Sequence, residues 1–130
     1  MSTYVIRPAD LGGSGPEDLL QAWSGHGRAL VYDRCGIERL TRTDAVRHAL
    51  DELATGQALA DYVTRGRWAT VAQGLVYGAT VSQVAVAMGL DVDEVAAGLR
   101  SWADGQLAIN LITPVLHDEL QTLLTQGGAR

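Results

Sequence analysis

The 130-residue chain has no phenylalanine, no lysine, one cysteine and one asparagine. A lone cysteine, Cys35, excludes an internal disulfide framework and fits a reducing compartment. No apolar run approaches the roughly 20 residues that cross a bilayer, and no signal-peptide pattern opens the chain. A cytoplasmic protein with no membrane partner is therefore expected. Cys35, His26, His48 and His117 form no C-x2-C or H-x3-H pair, so no metal site is expected. A phosphate-binding loop, a dinucleotide-binding glycine motif after a strand and a G-x-S-x-G nucleophile turn are all missing. Cys35 has no recognisable histidine base, and the acid pairs Asp51-Glu52 and Asp118-Glu119 read as solvated helix faces. No enzyme, catalytic residue or cofactor is expected.

What is present is a globular composition, 47% apolar and 19% charged. The length suits one domain, or one domain with an arm. All ten basic residues are arginine, which together with abundant Gly, Ala, Val and Asp is the bias of a GC-rich coding sequence. The net charge of −5 counts against a non-specific nucleic-acid binder, whose affinity comes mainly from neutralising phosphates.

The organising stretch is 80–102, TVSQVAVAMGLDVDEVAAGLRSW. Thr80 and Gln83 have capping-box spacing, and Asp91 with Glu94 repeats its acidic form. The two starts leave room for about two turns of helix between them, and Gly89 falls where the first must stop. Val84, Ala85 and Met88 form an inner face, Leu90 plugs the turn, and Val95 with Leu99 line the second helix. Small Ala85 sits where steeply crossing helices approach closely. In the run V-A-x-x-M-G-L this stretch resembles the phage-repressor-like helix-turn-helix proteins. The resemblance implies a DNA-binding transcriptional regulator of a bacterium, phage or plasmid.

Along the rest of the chain, residues 3–7 and 29–32 read as short strands, pairing as a small two-stranded β element or across a dimer. Between them Pro16 opens a helix that Gly25-His26-Gly27 ends. A turn follows at 33–36. Thr41 or Thr43 caps the next helix, which Gly56 either ends or interrupts on the way to about Val63. Arg65-Gly66 marks a break. Trp68, Val71, Ala72, Leu75 and Val76 then recur at helical spacing in a supporting helix that Gly78 stops. After Trp102 a turn is expected at 103–106 and an apolar linker at 107–112. Thr113-Pro114 opens a last helix with a Leu116, Leu120, Leu123, Leu124 stripe, read as core or as a dimer face, and residues 127–130 form a tail. The expected fold is mainly α: an arm at 1–40, a central tri-helical helix-turn-helix domain at 41–112, and a C-terminal helix at 113–130.

On the second helix the outward positions are expected to be Asp91, Val92, Asp93, Ala96, Ala97 and Arg100. Of these, Val92, Asp93, Ala96 and Arg100 are candidate DNA contacts. One arginine among two aspartates is an unusual donor set for base edges. Thr80, Ser82 and Gln83 offer hydroxyls, an amide and free backbone N–H groups to a phosphate, or they simply cap. Arg65 and Arg67 add phosphate contacts, or are solvated charges. Arg34, Arg39 and Arg42 form an accessory basic patch, or pair with Asp33, Glu38 and Asp44. The expected function is occupancy of a double-stranded operator as a homodimer, since one short helix reads few base pairs. The alternative is a protein-interaction module whose acidic second helix binds another protein.

Overall fold

The computed structural model describes residues 5–128 and is mainly helical. A short 3-10 turn, Pro8–Leu11, precedes five α-helices: α1 (Pro16–Arg34), α2 (Arg42–Val76), α3 (Val81–Met88), α4 (Val92–Ala108) and α5 (Pro114–Gly128). The chain divides into two compact units at Arg65 and Gly66, so α2 contributes its first part to one unit and its last part to the other. The boundaries read from sequence, at 40/41 and 112/113, are not the divisions seen.

In the first unit, Pro16 takes the first helical position, and Glu17 and Asp18 sit at the positive end of α1. The expected stop at residues 25–27 does not occur. A glycine inside a helix costs about 1 kcal/mol relative to alanine, and packing against α2 offsets it. A Cβ on Gly27 would lie 3.2 Å from Glu52 Oε1, and one on Gly56 would lie 2.9 Å from the Trp23 ring. Nothing in the structure explains Gly25, whose Cβ would meet open space. Residues 29–32 are consequently helical, which corrects the expected strand; Val5, Ile6 and Arg7 have no regular structure, and residues 3 and 4 of the first strand lie outside the described residues.

Helix α1 ends at Gly36, whose φ of 72° is left-handed, with Ile37 N–H donating to Tyr32 C=O at 2.9 Å. Asp33 Oδ1 accepts from Leu40 N–H at 2.8 Å and ties down the turn. Thr41 Oγ1 then caps α2 by accepting from Asp44 N–H at 3.1 Å. The expected break at Arg65-Gly66 is absent, and α2 runs on to Val76. Gly78 closes it with φ 111°, as its position in the sequence leads one to expect.

The second unit has a single core. Val71, Ala72 and Leu75 from α2 join Val81 and Ala85 from α3, Val95, Leu99 and Ala103 from α4, and Leu120 and Leu124 from α5. Helix α5 packs on α4 and α3, so it shares this core instead of standing apart. The leucine stripe of α5 is thereby spent inside the fold: Leu120 and Leu124 are buried, and Leu116 and Leu123 pack against them. The expected turn at 103–106 is helical, because Ala103 is fully buried and α4 continues to Ala108. Asn110, in the left-handed region at φ 62°, and the Leu111 N–H bond to Gln106 C=O turn the chain there, and no strand forms in 107–112. Thr113 Oγ1 accepts from Leu116 N–H at 3.1 Å to start α5.

One link between α4 and α5 depends on pH. His117 Nε2 lies 2.7 Å from Asp104 Oδ1, and Nδ1 lies 3.7 Å from Asp118 Oδ1. The hydrogen bond to Asp104 raises the His117 pKa above its ordinary 6.5; desolvation opposes this and Asp118 adds to it. A raised value in the fold means that the stabilisation is complete below the unfolded pKa of about 6.5 and is lost as pH rises through the folded value. Thermal unfolding should therefore lose this contribution as pH is raised from 6 into the alkaline range, and His117→Gln should remove that part of the slope. An identical pH profile for the variant would contradict the assignment.

Candidate nucleic-acid interface

Two helices joined by a tight left-handed turn carry most of the residues singled out from sequence. Thr80 Oγ1 accepts from Gln83 N–H at 3.1 Å while Gln83 Oε1 accepts from Thr80 N–H at 2.9 Å, a complete capping box at the start of α3. Gly89 adopts φ 68°, and Leu90 N–H donates to Ala85 C=O at 3.0 Å, so the chain reverses within three residues. Glu94 Oε1 accepts from Asp91 N–H at 3.2 Å and starts α4. Ala85 is buried between α3 and its neighbours, and Met88 and Leu90 pack against the core below the turn.

The open surface of this pair differs from the expected one. Val92 and Ala96 are half-buried against the core, which corrects their placement as outward contacts. They stand with Val95 and Leu99 at i, i+3, i+4 and i+7, one face of α4, and that face is the one on the core. Asp93, Ala97 and Arg100 remain exposed, as do Ser82 and Gln83. Arg100 Nε donates to Gln121 Oε1 at 3.3 Å, which steadies the guanidinium from α5. Thr80 is half-buried and engaged in its cap, and Gln83 commits its amide oxygen but not its amide nitrogen.

Two further residues belong to this surface and are missed by sequence reasoning. Val86 is 84% exposed on α3; its position one turn after Ser82 and Gln83 is the signal that places it there. Gln121 carries no signal, being 21 residues from the arginine that it holds. Arg65 and Arg67 are exposed on α2, and the Arg67 Cζ lies 5.0 Å from the Trp68 ring centroid, a cation–π contact of about 0.5–1 kcal/mol at such a site. Arg34, Arg39 and Arg42 are exposed and make no ion pair among the described residues; Asp33 is bonded to the backbone and Asp44 to Arg47.

The electrostatics of the second unit are acidic. Between residues 66 and 130 the arginines are Arg67, Arg100 and Arg130, set with His117 against Asp91, Asp93, Glu94, Asp104, Asp118 and Glu119. Elsewhere, His26 Nδ1 and His48 Nδ1 lie 3.0 Å apart, one donating to the other between α1 and α2. Among the described residues no three metal-ligating side chains come together. In the first unit an open cleft of about 720 Å³ lies between the 3-10 turn and α2, with Arg7, Ser14, Tyr62 and Arg65 in its walls. It brings no nucleophile and base together. No helix among the described residues is long and apolar enough to cross a membrane.

No protein-family model, curated protein or solved structure matches this chain.

Proposed function

We propose that the protein is a sequence-specific DNA-binding regulator, of the bacterial, phage or plasmid kind, that occupies an operator as a homodimer through a helix-turn-helix formed by α3 and α4. The observation that carries this reading is the pair itself: a short capped helix, a left-handed glycine turn and a longer helix, held on a shared core with their outer surface open. In this reading Ser82 and the free N–H groups at the start of α3 hold a phosphate. Gln83 and Arg100 donate to base edges or to the backbone beside them, with Thr80 setting the position of α3. Asp93 and Ala97 face the groove, Asp93 accepting from cytosine. Val92 and Ala96 act from within the core by fixing the angle of α4. Arg65, Arg67 and the Arg34, Arg39, Arg42 group supply phosphate contacts, each salt-dependent.

A second reading is favoured by the three arginines and six carboxylates of residues 66–130. In it the same scaffold is a protein-interaction module that offers the acidic side of α4 to a basic partner.

The two readings separate in a titration of the protein with mixed-sequence duplex at low salt, followed residue by residue through backbone amide shifts. A DNA reader shows shifts centred on 80–83 and on 93–100. Arg100→Ala and Gln83→Ala should each weaken binding by about 1–3 kcal/mol. An absence of shifts in α3 and α4 at the lowest salt would overturn the DNA reading.

A further inference from the structure

Helix α2 carries an apolar seam that α1 covers only at Gly56, where the Trp23 ring packs, and leaves open on either side. Val46, Ala49, Leu53, Gly56, Ala60 and Val63 follow one another at alternating spacings of three and four, the heptad pattern of a helix seam that packs against another helix. On a helical wheel they fall within an arc of about 100°. Leu53 is 69% exposed, Val63 60% and Val46 50%. On α1, Leu20, Trp23 and Val31 are also open. A groove of about 670 Å³ along the seam and another of about 320 Å³ along α1 share Trp23 and Glu52 in their walls, so the two run together across one face of the hairpin.

We infer that this face is the dimer interface and that its occupant is a second copy of the same hairpin, packed antiparallel as a four-helix bundle. The sequence itself is self-complementary about a two-fold axis midway between Ala54 and Thr55. Across that axis Val46 meets Val63 of the second copy, Ala49 meets Ala60, and Leu53 meets Gly56 beside the Trp23 ring that packs on it. A two-fold interface requires this reciprocity, because the same patch is used twice. The flanks agree, since Glu52 falls opposite Gln57 and no like charges oppose one another along the seam. The first unit also needs the partner. Among the described residues its buried side chains are few and mostly small (Leu19, Ala54, Thr55 and Ala58), while ten large apolar ones stay open, among them the six named above: Leu20, Trp23, Val31, Val46, Leu53 and Val63. Their exposed area is on the order of 600 Å² per copy, near the ~800 Å² per partner of a standard stable interface.

The surface is that of the homodimer in the proposed function, but its test uses no DNA, so either can fail without the other. Sedimentation equilibrium of the full chain should give twice the 13.8 kDa chain mass, and Leu53→Glu should give the monomer with unchanged helical circular dichroism, since Leu53 is exposed. In a Cys35→Ser background, Val46→Cys with Val63→Cys should oxidise to a covalent dimer. Val46→Cys alone should not, because its two copies stand at opposite ends of the seam. A monomer at all concentrations, a dimer unaffected by Leu53→Glu, or cross-linking through Val46→Cys alone would each overturn the inference.

Discussion

Replacing Leu99 with alanine is expected to remove about 2–5 kcal/mol of stability, enough to unfold much of the second unit at ambient temperature. Leu99 is fully buried in the centre of the core, where α2, α3, α4 and α5 all contribute side chains. Its truncation therefore removes contacts on several sides at once, and no single helix can move in to refill the space. Leu99→Met keeps most of the volume and should lose under ~1.5 kcal/mol. The check is denaturant unfolding followed by tryptophan fluorescence, because Trp68 and Trp102 both pack against this core. A loss below about 1 kcal/mol for the alanine variant would mean that the core is not shared in this way.

Two glycines of α4 should respond in opposite directions to the same substitution. A Cβ on Gly105 meets nothing within 4 Å, so Gly105→Ala should gain about 0.5–1 kcal/mol from helix propensity alone. A Cβ on Gly98 would collide with the six-membered ring of the Trp68 indole. The propensity gain is there too, but overpacking against a ring already lodged on the core costs about 1–3 kcal/mol. Gly98→Ala should be the less stable of the two by about 2 kcal/mol, from these opposed terms. Adding Trp68→Ala should make the two losses less than additive, as expected for residues in direct contact. Equal gains for both alanine variants would contradict the close approach of Trp68 to α4.

This contrast also explains which parts of the fold were legible in the sequence. Signals whose donor and acceptor lie three or four residues apart are readable: the Thr80–Gln83 box, Gly78 and Gly89 as stops, and Thr113-Pro114 before α5, while before α2 the sequence leaves Thr41 and Thr43 as alternatives and the structure uses Thr41. A glycine is hard to read where a distant side chain decides the outcome. Gly27 faces Glu52 and permits close helix packing where local propensity suggests a break, and Gly56, which the sequence leaves as an end or an interior position, faces Trp23 within a continuous helix. The strand expected at 29–32 failed for the same reason, since ending α1 at Gly27 left those residues to be assigned on β propensity. In the candidate interface, the exposure of Ser82 and Gln83 follows from their place in the first turn of α3, and that of Arg100 from its outward position on α4. Val92 and Ala96 lie on the core side because they share one helical face with Val95 and Leu99, a periodicity that the outward reading of Val92 and Ala96 passes over. The pairings of Arg100 with Gln121 and of His26 with His48 span 21 and 22 residues, and no local pattern encodes them.

Whether α3 and α4 read DNA sequence is decided by a selection experiment. Purified protein is mixed with pooled fragments of its source genome at low and at moderate salt, and the retained fragments are sequenced. A few fragments should be enriched, less so as salt is raised because phosphate contacts release counterions, and less again with Arg100→Ala and Gln83→Ala. Retention of no fragment above background at the lower salt would contradict the DNA reading and leave the acidic face of α4 as a surface for a basic protein partner.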